Sequence, residues 1–328
     1  MPIFKQSIVI QAVVILLATA ALWGAALVVP QPMPSPQGSD VLYGVLYGWF
    51  AGTPKLAAII GLLLVVAGGI MLNILLVDLN LTAQNSLLPT LLYIICMSAS
   101  AMTLTPMTVV SLLMVWCMWQ LAIKGTLLTI PPERACAATA LIGVSSMFYL
   151  PATLLIISYM LVSINYRLYS WRDWVILLLG FAAPYVILVT VLLFTGGLAG
   201  WWQGVADAFS NIHLTVSQTP VLSIIGGLIL VVALIAGLVS ILQRSGESMV
   251  QWQKNAITML CIIPGAVAML VFSRLYPIDM QFFALPFTFG VALLLTTTQH
   301  SSSFDRKKRR DWVYTLILIL LFVAAMIC

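Results

Sequence analysis

The chain carries very little charge. Only 7% of its 328 residues are Asp, Glu, Lys or Arg, whereas 62% are hydrophobic. Soluble domains contain roughly a quarter charged residues, so this composition excludes a soluble globular core. The mean hydropathy of +1.12 and several continuous apolar runs near the roughly 20 residues that cross a bilayer predict an all-α, polytopic transmembrane protein.

The sequence also lacks the motifs of several chemistries. It contains no Walker A loop, GxSxG elbow, HExxH helix or CxxC pair, and it has only two histidines. We therefore predict no metal site and no cofactor. Five cysteines lie in or beside apolar runs, where buried free thiols are expected: Cys96, Cys117, Cys136, Cys261 and Cys328.

No ionisable residue falls near the centre of a predicted span. A proton-coupled carrier or pump usually needs an Asp, Glu or His at that depth, so this absence counts against ion-coupled transport. The polar residues inside the apolar runs are amides and hydroxyls, which more often hold helices together.

The apolar runs predict about eleven spans, within a range of nine to twelve, in a single integral membrane domain covering residues 1–328. Residues 8–29 are too long and too apolar for a signal-peptide core, and we interpret them as a retained first helix. The sequence FYLP at 148–151 interrupts the region 135–166. This region is therefore predicted to form either two tilted helices or two half-helices that meet at a turn. The predicted spans are 8–29, 56–77, 87–104, 107–123, 135–150, 152–166, 174–195, 221–242, 256–273, 281–298 and 313–328.

The distribution of basic residues predicts the orientation. With a cytoplasmic N-terminus, 12 of the 14 Lys and Arg residues fall in cytoplasmic loops, and only Lys55 and Arg274 fall outside. The basic loop 299–312 contains a cluster of five basic residues: Arg306, Lys307, Lys308, Arg309 and Arg310. We interpret this cluster as a topogenic signal that can also contact anionic lipid headgroups. It gives no indication of nucleic-acid binding.

Two loops of substantial length are then on the outer side. Residues 30–55 combine a proline-rich opening with a stretch of aromatic residues about four positions apart, and residues 196–220 contain a second aromatic group, Trp201, Trp202 and Phe209. This spacing is typical of a short helix at the membrane interface. Both loops are too short for a separate soluble domain.

Outer polar residues form the candidate site. Asp40 is the candidate general base, and the candidate substrate-binding residues are Lys55, Asp207, His213, Arg274 and Asp279. A carboxylate that takes a proton from an acceptor hydroxyl and cations that neutralise a phosphate leaving group would suit a polyprenyl-phosphate-linked sugar. The alternative interpretation is that these residues anchor the protein at the membrane interface and make the loops soluble. Arg274 and Asp279 would then form an ion pair across a turn at Pro277.

Three stretches carry a resemblance that spans most of the chain. The segments 78–100, 138–188 and 280–295 resemble a family of uncharacterised bacterial multi-pass inner-membrane proteins, a domain of unknown function; the most specific pieces are NSLLP at 85–89, FYLPA at 148–152 and WRDW at 171–174. This resemblance implies topology and location but no activity.

More distantly, the layout is similar to that of GT-C glycosyltransferases and O-antigen polymerases. In the former, the first outer loop carries a catalytic acid, a position that falls to Asp40 here. This chain has a single acid in that loop and no DxD motif. Two hypotheses follow: a GT-C-like enzyme acting on polyprenyl-linked sugars at the outer leaflet, or a non-enzymatic scaffold subunit of an envelope complex or a lipid or solute carrier.

Overall fold

The computed structural model describes residues 8–79, 81–82, 86–98, 102–122, 130–166, 170–210, 256–272, 281 and 284–297. Within these ranges the chain is helical and contains no strand, which confirms the predicted all-α class. The α-helices are α1 (Ile8–Val28), α2 (Val41–Phe50), α3 (Pro54–Asp78), α4 (Leu88–Met97), α5 (Pro106–Leu121), α6 (Pro132–Phe148), α7 (Ile156–Asn165), α8 (Trp171–Thr195), α9 (Leu198–Ser210), α10 (Ile262–Phe272) and α11 (Ala284–Thr297). A 3-10 helix, Leu150–Leu155, precedes α7.

Three helices in the described ranges are long and apolar enough, by length and composition, to cross a membrane. They are Val9–Val28, Pro54–Asp78 and Trp171–Thr195, and they coincide with the predicted spans 8–29, 56–77 and 174–195. In each helix more than half of the most apolar window is not buried, and the exposed side chains are largely aliphatic. Such a surface is stable in hydrocarbon and costly in water.

Other predicted spans are shorter or broken. In the described part of the segment 87–104, which omits residues 99–101, the helix covers Leu88–Met97, and α5 and α6 have 16 and 17 residues. The predicted interruption at FYLP is confirmed, because α6 ends at Phe148, Tyr149 is extended and the 3-10 helix begins at Leu150. The predicted spans 221–242 and 313–328, and the basic loop 299–312, lie outside the described residues.

Local sequence explains where the helices begin and end. Prolines occupy the first turn of α3, α5 and α6, where their missing N–H costs nothing. Ser170 and Asp173 form a capping box at the start of α8. That helix ends at Gly196, whose φ of 73° lies in the left-handed region that favours glycine.

Small residues allow the helices to approach closely. A Cβ at Gly180 of α8 would lie 2.6 Å from the carbonyl oxygen of Cys136 on α6, and one at Gly143 of α6 would lie 2.8 Å from that of Phe181 on α8. Gly68 of α3 is covered in the same way by the ring of Tyr93 on α4. This is the packing expected of helices in a bilayer, where dispersion contacts and not water exclusion hold them together.

Candidate functional site

Four separate chain segments meet at one end of the helix bundle. The Tyr43 hydroxyl on α2 donates to the carbonyl of Leu104, just before α5, at 3.3 Å, and the Asp40 carboxylate contacts Leu150 at the break after α6. Gly38 lies against Gly204 of α9. We call this region, comprising residues 30–53, 102–105, 148–150 and α9, the Asp40 end. It gathers loops that the charge distribution predicts on one side of the membrane.

Asp40 is buried, with 3% of its surface exposed, and its carboxylate is hydrogen-bonded within the protein. Oδ1 accepts from the backbone N–H of Leu150 at 3.1 Å and from the hydroxyl of Ser39 at 3.1 Å. Leu150 is the first residue of the 3-10 helix, so its N–H points out of the helix and needs an acceptor from elsewhere. Asp40 therefore caps a helix that lies 110 positions further along the chain.

The position of Asp40 in the chain suggests that it would cap the helix that follows it, α2. It directly precedes α2, where an Asp side chain usually accepts from the backbone of the first turn. Here the side chain makes no such bond to α2. The carboxylate is thus directed away from its own helix and towards the break between α6 and α7.

Tyr43 supports the same region from within. Its side chain is 1% exposed and packs with Met33, Ala57 and Leu104, while its hydroxyl donates to the carbonyl of Pro34 at 2.9 Å. Burial raises the pKa of the Tyr43 hydroxyl above its usual value, which keeps the proton that this bond requires. The short helix predicted in the loop 30–55 is therefore present as α2, but Tyr43 faces the protein.

The α9 helix covers the loop before Asp40. A Cβ at Gly204 would lie 2.5 to 2.8 Å from backbone atoms of Gly38 and Ser39, so glycine is required for this approach. The ring of Trp201 lies 6.5 Å from that of Tyr185 on α8, and the Tyr185 hydroxyl is 2.7 Å from Ser146 Oγ on α6. No residue of α9 is buried, and Trp202 and Phe209 are exposed. A short helix predicted in loop 196–220 is confirmed for Leu198–Ser210.

A buried polar seam continues from this end into the core. Gln281 Oε1 accepts from the Thr105 hydroxyl at 2.8 Å, and Gln281 Nε2 donates to the carbonyl of Met97 at 3.1 Å. Thr105 also caps α5 by accepting from the N–H of Thr108. Gln281 thereby connects the segment before α11 to α4 and α5.

The predicted site residues differ in their surroundings. Lys55, in the first turn of α3, and Asp207, on α9, are exposed, whereas Asp40 is buried. Both helices reach the Asp40 end, but no contact of either side chain with the Asp40 carboxylate is observed in the described part of the chain. Other predicted residues lie outside the described ranges: His213, Arg274, Asp279, Arg306, Lys307, Lys308, Arg309 and Arg310.

Sequence reasoning missed the residues that hold Asp40 in place. Leu150 contributes a backbone group, which no residue-type pattern can indicate, and Gly204 contributes only the absence of a side chain. The FYLP interruption was a usable signal, because a broken helix leaves backbone groups that some other segment must satisfy. In the ranges that the structure describes, no three His, Cys, Asp or Glu side chains are grouped to hold a metal ion.

The chain matches no protein-family model, no curated protein and no solved structure, so its site must be interpreted from its own geometry.

Proposed function

We propose that this chain is a multi-pass protein of the bacterial inner membrane, with a cytoplasmic N-terminus and the Asp40 end outside, and that it acts as a non-enzymatic scaffold or assembly subunit of a cell-envelope complex. The observation that carries the scaffold hypothesis is the engagement of the Asp40 carboxylate in the fold. The one acid of the first outer loop is used to join that loop to the break after α6.

The membrane part of the proposal is supported by composition and exposure. Three helices are long and apolar enough to cross a bilayer, and their outward faces are apolar along their length. The orientation is supported by the 12 of 14 basic residues that fall on the cytoplasmic side when the N-terminus is inside. The basic cluster 306–310 then faces the anionic headgroups of the inner leaflet.

The scaffold part is supported by what a general base requires. A base must come within hydrogen-bond reach of the hydroxyl from which it takes a proton. Asp40 exposes 3% of its surface, and Oδ1 already accepts two hydrogen bonds from the protein. An outer end built from four segments, with Trp202 exposed on α9, suits a protein that presents a surface to a partner.

A GT-C-like glycosyltransferase or polymerase acting on polyprenyl-linked sugars is the second candidate. The observation in its favour is that a carboxylate is retained in a buried position, where a charge is costly unless it is well paired. In this alternative Asp40 is the base, Lys55 and Arg274 hold the polyprenyl phosphate, and Asp207 or His213 contacts the acceptor.

Complementation of a deletion strain with Asp40→Asn distinguishes the two candidates. The amide oxygen of Asn can still accept from Leu150 and Ser39, but an amide cannot act as a base. For a scaffold, we expect Asp40→Asn to restore the wild-type surface glycan and the wild-type size of the native complex. Glu133→Gln, the same acid-to-amide change at an exposed carboxylate that neither candidate uses, serves as the matched control.

The opposite result would support the enzyme. A normally abundant Asp40→Asn protein that leaves surface glycan missing, with polyprenyl-linked intermediates accumulating, would contradict the scaffold proposal. Protein abundance in the membrane is measured in parallel, so that loss of activity is separated from loss of the protein.

A further inference from the structure

A groove of about 540 Å³ lies between α3 and α5. Its lining is mostly apolar and includes Ala67, Ile70 and Ile74 on α3 with Trp116, Trp119 and Gln120 on α5. Gln120 is the polar member of this set. The groove is a shallow depression that is open on one side, with this one polar side chain in an apolar lining.

The groove is part of an exposed apolar stripe. Side chains of α3 at intervals of three to four residues are exposed along the whole helix, from Leu56 through Leu63 to Ile70 and Ile74. Because α3 is one of the three helices able to cross a membrane, this stripe is the face that would contact hydrocarbon. The groove is therefore open towards lipid.

The groove lies away from the Asp40 end. Gly61, in the first half of α3, approaches the backbone of Thr103, so Ile70 and Ile74 lie further towards the opposite end. Helix α5 begins beside Thr105 and ends at Leu121, which puts Trp116, Trp119 and Gln120 near that opposite end too. Tryptophan is enriched where hydrocarbon meets headgroups, and an amide at this depth can hydrogen-bond to ester or phosphate oxygens.

We propose that this groove binds one acyl chain of a glycerophospholipid, in the leaflet opposite the Asp40 end, with Gln120 hydrogen-bonded at the ester or phosphate level. This proposal depends on the membrane embedding proposed above but not on any role of Asp40. It adds a ligand site that is separate from the outer end of the bundle.

The lining favours an acyl chain over a second transmembrane helix. Helices that pack in a bilayer approach through small residues, whereas this surface has bulky Trp116 and Ile70 and a single small residue, Ala67. The positions from Ala67 to Ile74 cover about two turns, or roughly 10 Å of α3, which is short for a helix–helix contact. A flexible hydrocarbon chain fits an irregular concavity of this kind.

Native mass spectrometry of the full chain, purified in mild detergent, tests the proposal. We expect the wild type to retain a phospholipid. Ala67→Phe fills the groove and should lower the fraction of protein that carries the lipid roughly tenfold. Ala20→Phe makes the same change at an exposed position of α1 and should retain the lipid. Gln120→Leu should reduce retention while leaving the groove open. The mass of the released lipid distinguishes a glycerophospholipid from a polyprenyl phosphate.

A second measurement covers the case in which Ala67→Phe fails to fold. The photoreactive residue p-benzoylphenylalanine is placed at position 70 of the otherwise unchanged chain and irradiated in native membranes. A phospholipid adduct supports the proposal. An adduct with another polypeptide, a wild type that retains no phospholipid, or equal retention by Ala67→Phe and Ala20→Phe would overturn it.

Discussion

The Asp40 carboxylate accepts a hydrogen bond from the backbone N–H of Leu150, at 3.1 Å and 110 positions away in the chain. The bond joins the loop between α1 and α2 to the point where the helical path through α6 is broken. It satisfies an N–H that the start of the 3-10 helix leaves without a partner of its own. One side chain thus connects two regions that the sequence presents as unrelated.

Replacing Asp40 should destabilise the protein, and the loss should be larger when the new side chain has no hydrogen-bond acceptor. Asp40→Ala leaves the Leu150 N–H and the Ser39 hydroxyl without this acceptor, so we expect a loss of about 1–3 kcal/mol in the free energy of unfolding. Asp40→Asn keeps an oxygen in place and should lose less. Denaturant titration of the purified full chain in detergent measures both.

The control for this series is Asp207, an exposed carboxylate on α9. Asp207→Ala and Asp207→Asn should both leave the free energy of unfolding within about 0.5 kcal/mol of the wild type. Equal losses for the two Asp40 variants would show that the hydrogen-bond acceptor is not what stabilises this position.

Gly204→Ala should loosen α9 from the loop before Asp40. Its Cβ would lie 2.5 Å from the carbonyl carbon of Gly38, and backbone atoms cannot rotate aside as a side chain can. We expect faster proteolytic cleavage in the loop 30–40 and a lower Tm. Gly200→Ala, on the same helix with open space around the new methyl group, should leave cleavage unchanged or slow it, because alanine favours the helix. Identical cleavage of both variants would argue against this docking.

Gly180→Ala should disturb the packing of α6 against α8. The new Cβ would overlap the Thr139 hydroxyl and lie 2.6 Å from the carbonyl oxygen of Cys136, so the two helices must move apart. We expect overpacking to lower the free energy of unfolding by about 1–3 kcal/mol. The variant should therefore aggregate at a lower temperature, which is measured by size-exclusion chromatography after heating. Gly24→Ala on α1, with nothing within 4 Å of the added carbon, is the control and should behave as the wild type.

Cysteine labelling tests the proposed orientation. In a background with the five native cysteines replaced, single cysteines at the exposed positions Lys55 and Asp207 should react with a membrane-impermeant maleimide in intact spheroplasts. A cysteine at the exposed Glu133, at the start of α6, should react only after permeabilisation. Labelling of position 133 but not of positions 55 and 207 in intact spheroplasts would invert the topology.

The sequence alone determined the class of the protein. With 7% charged residues, the chain consists largely of long apolar runs, and helices satisfy the backbone hydrogen bonds of such runs locally. The limits of α1, α3 and α8 were predictable to within about three residues because hydropathy and local start signals agree there. The interruption at FYLP was also visible, since Pro151 cannot continue the helix of α6.

The tertiary structure decided the role of the polar groups. The residue type and position of Asp40 indicated a general base or a loop solubiliser, but the carboxylate is buried and turned towards Leu150. Its partner is a backbone N–H that any residue except proline could supply, and Gly204 and Gly180 matter because they have no side chain. Apolar periodicity determines which segments become helices, whereas contacts between distant backbone groups depend on how those helices are packed.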